Sequence, residues 1–184
     1  MEEKENILNI LKQTKEAIKN RDVIKLRELS NQTIHTASIH KDTDNISVAI
    51  IVYAIGKIME EQTKNKECTI FCQNASVFID SAIKALSKDD LKGFKTSLEQ
   101  IIKSVKKLSP NMRNYVKEVF RAAKIDKATK IYEHGISMEQ TANMLGITMF
   151  ELAGHAGESK ISDTPETKTV NERERIKFIM DMFS

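Results

Sequence analysis

Residues 137–157, Ser-Met-Glu-Gln-Thr-Ala-Asn-Met-Leu-Gly-Ile-Thr-Met-Phe-Glu-Leu-Ala-Gly-His-Ala-Gly, predict a helix, a tight turn and a second helix. Two short helices that cross closely need a small residue at their contact, and Ala142 supplies it. Gly146 is free to take the positive φ that ends the first helix. Leu145, Ile147 and Leu152 then point inward and fix the crossing angle. This spacing of small, turning and core residues is that of a helix-turn-helix, whose second helix would cover about 148–156.

Working back along the chain, Ser109-Pro110 is a helix-start pair, with Ser as cap and Pro at the first position, where no N–H donor is lost. The helix it opens is predicted to run to about Lys124. A further helix over Lys127 to His134, stopped by Gly135, makes a compact three-helix unit with the two helices after Ser137, within a C-terminal helix-turn-helix unit of 109–158. The same region concentrates positive charge. Between Lys103 and Glu133 nine basic residues stand against three acidic ones, a local +6 in a chain whose net charge is +3. Arg113, Lys117, Arg121 and Lys124, spaced four, four and three apart, share one face of their helix, with Val116, Val119, Phe120 and Ala123 on the opposite face. A basic stripe beside a helix-turn-helix is the pattern that contacts phosphates.

The first 108 residues read as a separate helical bundle. Ile7, Leu8, Leu11 and Ile18 form one apolar stripe over 3–19. Asp22 caps a second helix through Val23, Leu26, Leu29 and Ile34 to about Ile39, and the polar string at 41–45 caps a third. That third helix is apolar nearly all round, from Val48 through Ile55 to Met59, which places it at the bundle's centre. Gln62 to Lys66 reads as a polar turn. A fourth helix carries Ile70, Phe71, Ala75, Phe78, Ile79, Ala82, Ile83 and Leu86. Ser87-Lys-Asp-Asp90 is a capping-box-like start for a fifth, with Leu91, Phe94, Leu98, Ile101, Ile102 and Val105 at helical spacing.

After the tri-helical unit, 159–169 turns to Ser, Thr, Asp, Pro and Lys, a linker, and 170–184 reads as a C-terminal helix with Ile176, Phe178, Ile179, Met182 and Phe183. Six Gly and two Pro in 184 residues leave few interruptions. No period-two alternation persists, so the fold class is all-α. No run is long enough to span a bilayer and the N-terminus is acidic, which predicts a cytoplasmic protein without membrane contact. Cys68 and Cys72, four apart on one helix, read as small core residues. No thiol or imidazole spacing suits a metal. His40, Asp42 and Asp44 are not read as metal ligands, because helix capping explains the two acids, and no phosphate loop, nucleophile elbow or cofactor motif appears.

Two family resemblances attach to these segments. Ile131-Tyr132, Gly135-Ile136-Ser137, Ala142, Gly146-Ile147 and Phe150-Glu151-Leu152 resemble the short helical domain of some prokaryotic antitoxins. Ser30-Asn31-Gln32-Thr33-Ile34-His35, followed by a polar turn and a long apolar helix, is similar to the signature of HEPN domains. Their active form places an Arg, then a polar residue, then a His four residues after it. The resemblance implies acid–base chemistry by the His on an RNA 2′-hydroxyl while the Arg holds the scissile phosphate. Here Asn31 and His35 match, but Ser30 stands where the Arg belongs. A neutral hydroxyl cannot clamp a phosphate, so the implied state is non-catalytic.

These readings predict a non-enzymatic nucleic-acid-binding protein, a helix-turn-helix regulator that prefers duplex DNA. Arg113, Lys117, Arg121, Lys124 and Lys127 would hold phosphates, while Thr148, Met149 and His155 approach bases. The second helix lacks the Arg, Lys, Asn and Gln that read base edges. The alternatives are therefore an inactive HEPN-like RNA-binding or toxin–antitoxin protein, with Asn31 and His35 as remnants, and a scaffold that binds a protein through its C-terminal unit. A homodimer would double the motif.

Overall fold

The computed structural model describes residues 4–40, 43–61 and 65–158, with side chains described throughout except at 36–40, 43 and 156–158. The linker expected over 159–169 and the helix expected over 170–184 lie outside the described residues, as do 41–42 and 62–64 of the two polar stretches. The elements are α1 (Lys4–Asn20), α2 (Val23–His40), α3 (Thr43–Glu61), α4 (Lys66–Ser87), α5 (Leu91–Ser104), a 3-10 turn (Val105–Lys107), α6 (Pro110–Glu133), α7 (Met138–Leu145) and α8 (Met149–Glu158). The described residues contain no strand, and the fold is all-α. None of their helices is long and apolar enough to cross a membrane.

Capping chemistry sets most of the boundaries. The Asp22 carboxylate accepts the Lys25 N–H at 2.9 Å and opens α2. Asn65 accepts the Glu67 and Cys68 N–H groups at the start of α4. The start of α5 differs from the expected one. Asp90 is its cap, accepting the Gly93 N–H at 2.8 Å, whereas Ser87 belongs to α4 and donates its hydroxyl to the Ile83 carbonyl. Four residues after a bonding carbonyl, a serine is satisfied inside the helix and cannot cap the next one.

The larger difference lies in α6. It is one helix from Pro110 to Glu133, not two helices separated near Ile125-Asp126. Neither residue breaks a helix, and the Asp126 carboxylate lies 2.9 Å from the Lys127 ammonium and 3.9 Å from that of Lys130. The helix ends where expected, with Gly135 at φ +87°.

α3 is the central element, with Ile46, Val48, Ala49, Ile51, Val52, Ala54, Ile55 and Ile58 all buried. It packs against α1, α2, α4, α5, α6 and α7. Gly56 makes the close α2–α3 approach possible, because a Cβ there would lie 3.2 Å from the Leu26 Cβ. Ser30 joins the same pair, its buried hydroxyl donating to the Ala49 carbonyl at 2.8 Å. The apolar core continues from Ile7 in α1 through Phe71 and Phe94 to Ile131, Leu145 and Leu152, and so runs across the Ser109-Pro110 junction. Burial on this scale, at about 25 cal/mol per Å² of apolar surface, is the main force holding the helices together.

Both cysteines sit in this core, with the Cys68 Sγ 3.2 Å from the Met112 Sδ across the α4–α6 contact. Burial pushes the Cys72 thiol up to about 12, which marks it as a packing group and not a nucleophile.

Candidate interaction surface

α7 and α8 are built as the sequence predicts. The Ser137 hydroxyl caps α7 by accepting the Gln140 N–H at 3.2 Å. Gly146 closes α7 at φ +61°, with the Ile147 N–H returning to the Ala142 carbonyl. This six-to-one bond is the Schellman arrangement, which requires a left-handed residue at the Gly146 position. Ala142, Leu145 and Leu152 are buried, so both short helices are seated on α6 through their inner faces.

The outer face of α8 is apolar and open to solvent. Phe150 is 92 % exposed and Met149 52 %, and Ala153, Gly154 and His155 are exposed beside them. Helical periodicity puts Met149, Phe150, Ala153 and Gly154 on one side of α8. A soluble helix ordinarily turns such a side inward.

Thr148 and Glu151 form a reciprocal capping box at the start of α8. The Thr148 Oγ1 accepts the Glu151 N–H at 3.1 Å, while the Glu151 carboxylate accepts the Thr148 N–H at 3.0 Å and its hydroxyl at 2.9 Å. Arg121 of α6 adds two further bonds to the same carboxylate, at 3.1 and 2.9 Å. The Thr148 backbone N–H, then its hydroxyl, then the Arg121 guanidinium hold Glu151 down at about 2. A helix N-terminus is where a phosphate would otherwise bind. Here a carboxylate of the chain itself occupies it.

The structure divides the basic stripe. Arg113 donates to the Lys106 and Leu108 carbonyls at 3.0 and 3.1 Å, closing the end of the 3-10 turn. Arg121 is held by Glu151 and lies 3.7 Å from Glu118. Lys117 is exposed and Lys124 half-buried, and neither has an ion-pair partner among the described residues. Lys127, expected among the phosphate contacts, is fully buried. It falls four residues after Ala123 and eleven after Val116, so a continuous α6 turns it to the core with them.

Lys127 stands at the junction of α2, α3 and α6. Its ammonium lies 4.2 Å from the Tyr53 ring centroid, donates to the Asn31 Oδ1 at 3.1 Å and sits 2.9 Å from Asp126, too poorly aligned there for a hydrogen bond. Burial pushes it down to about 8 against the pull of Asp126. Lys130 donates to the same Asn31 oxygen. One turn on, the His134 ring meets the His35 ring edge to face, with centroids 5.0 Å apart. Asn31 and His35 are thus brought together with two lysines of α6 and with His134 just past its end, a grouping that the spacing within α2 does not reveal. Arg27 takes no part, because it is paired with Glu60 at 3.1 and 3.2 Å. Ser30 faces the opposite way, into the α2–α3 seam.

No family model, curated protein or solved structure matches the chain.

Proposed function

We propose that this is a non-enzymatic docking protein whose α6–α8 unit binds another protein through the outer face of α8. The observation that carries this reading is Phe150, which is 92 % exposed on α8 with Met149 beside it. A large aromatic flanked by small residues is the kind of anchor that fills a partner's pocket and dominates binding energy. The charge pattern supports the same choice. Arg113, Arg121 and Lys127 are occupied within the fold, which leaves Lys117 and Lys124 as the free members of the phosphate-binding set. The likeness of Ile131 to Leu152 to antitoxin helical domains is compatible with a protein partner.

Photo-crosslinking from p-benzoylphenylalanine at position 150 of the full chain, in its native host, tests this. A discrete protein adduct that disappears with Ala153→Arg supports the reading. Adducts to nucleic acid alone overturn it.

A second reading is favoured by the seam between α2 and α6, where Lys130, His134 and His35 gather beside Asn31. In this reading α6 supplies the cations that Ser30 does not, and single-stranded RNA is held there without being cut. It predicts RNA binding that weakens with salt and with Lys130→Ala, at a site unaffected by Phe150→Ala. Duplex DNA contact through Lys117, Lys124, Thr148, Met149 and His155 predicts instead a duplex preference and sensitivity to Lys117→Ala.

A further inference from the structure

A cavity with no α8 residue in its lining lies where the end of α1, the start of α2, the end of α3 and the first half of α4 converge. Its volume is about 420 Å³, within the range of about 300–1,000 Å³ that holds small organic ligands. Ile18, Val23, Ile58, Met59 and Cys72 give it an apolar interior, while Thr69, Gln73 and Ser76 of α4 line one wall. Lys19 and Arg21 stand in the same lining. Glu60 is the one acidic residue there among the described residues, and it is already engaged by Arg27 at 3.1 Å and by Lys57 at 3.6 Å. The two cations are exposed and make no ion pair among the described residues.

Arg21 carries a second, independent signal. It has φ +55° and closes α1, with its own N–H on the Ile18 carbonyl and the Asp22 N–H on the Ala17 carbonyl at 2.9 Å. Glycine is the ordinary residue for this left-handed position. Among the described residues the same conformation occurs at Gly135, Gly146 and Asp89. Aspartate tolerates it better than most side chains, and Asp89 is tied to Lys4. Arginine has neither excuse. Strain kept at the mouth of a cavity is a mark of function when the side chain that brings it serves the cavity. Arg21 is itself part of the cavity lining, together with Cys72 and Lys19.

We infer that this cavity binds an amphipathic monocarboxylate, its apolar body among Ile18, Ile58, Met59 and Cys72 and its carboxylate on Arg21 and Lys19. The planar guanidinium suits a carboxylate in a bidentate pair, and the neutralised Glu60 does not repel it. The α8 surface plays no part in this site.

The test uses the full chain, with decanoate as probe and decanol as its uncharged counterpart. Binding is followed by calorimetry and by the Met59 methyl resonance. Decanoate is expected to saturate and to shift Met59, with decanol at least about ten-fold weaker. Arg21→Gly is the decisive variant, because it relieves the left-handed strain while deleting the guanidinium. It should raise the unliganded melting temperature by about 3 °C and weaken decanoate by about ten-fold or more. Equal binding of decanol, no binding of decanoate at millimolar concentration, or an Arg21→Gly protein with unchanged decanoate affinity, whatever its melting temperature, would each overturn the inference.

Discussion

Arg121 and Glu151 join the middle of α6 to the first turn of α8 through two hydrogen bonds, at 3.1 and 2.9 Å. The pair anchors the short helix that presents Phe150. It also withdraws one arginine and one helix N-terminus from any role in holding phosphate. The largest contribution to the low pKa of Glu151 comes from Thr148, with Arg121 third. A carbon-detected NMR titration should therefore find Glu151 near 2 in the native chain. Arg121→Ala and Thr148→Val should each raise it only part of the way to the ordinary 4.5, because the Thr148 backbone N–H, the largest cause, remains in both variants. The stabilisation is complete above the unfolded value and is lost as pH falls through about 2. A return all the way to 4.5 in either single variant would contradict the leading role of the backbone N–H.

Lys127→Met tests the buried ammonium. The folded value near 8 lies below the ordinary 10.5, so the unfolded chain holds more protons between those two limits. Stability contributed at this site therefore rises as pH rises from about 8 to 10.5, and the burial of charge costs most below 8. The full penalty is roughly 3 kcal/mol at about 1.4 kcal/mol per unit. Methionine fills a similar volume without charge. The variant should melt higher than the parent at pH 7, and the difference should shrink toward pH 10. A variant that is less stable at pH 7 would show that Asn31, Tyr53 and Asp126 more than offset the burial.

Gly56→Val probes the α2–α3 crossing. The first added carbon lies 3.2 Å from the Leu26 Cβ, and the branch carbons of valine have less room still. Denaturant unfolding should show a loss of about 2 kcal/mol, the usual scale of overpacking in a closed core.

Ser30→Arg asks whether the arginine of a HEPN-like motif would be tolerated. Ser30 is buried, and its hydroxyl bonds the Ala49 carbonyl. An arginine there would bring an unpaired charge into the α2–α3 seam, at a cost of about 3–5 kcal/mol. The expected result is a destabilised chain and no gain of RNA cleavage. A stable Ser30→Arg protein that cleaves RNA would overturn the placement of Ser30.

Much of the fold was legible because its signals are local. Asp22 and Ser137 are caps that announce themselves, Gly146 supplies a turn no other residue takes so readily, and the all-round apolar character of α3 dictates its central place. The break inferred at Ile125-Asp126 had a wider consequence. With α6 divided, the register linking Val116 and Ala123 to Lys127 is lost, and Lys127 reads as a surface charge. A continuous helix would have turned it inward. The Thr148-x-x-Glu151 capping box is present in the sequence and accounts for Thr148, a residue otherwise assigned to nucleic acid. The pairing of Asn31 with Lys127 and Lys130, and of His35 with His134, was not readable, since about a hundred residues separate the partners and no periodicity connects them.

The claim that most depends on α8 is that Phe150 serves binding and not folding. Phe150→Ala in the full chain should leave the melting temperature within about 2 °C of the parent, as expected for an exposed side chain. It should also abolish the protein adduct formed by p-benzoylphenylalanine at the neighbouring position 149. A large fall in melting temperature, or an unchanged adduct at 149, would contradict the account.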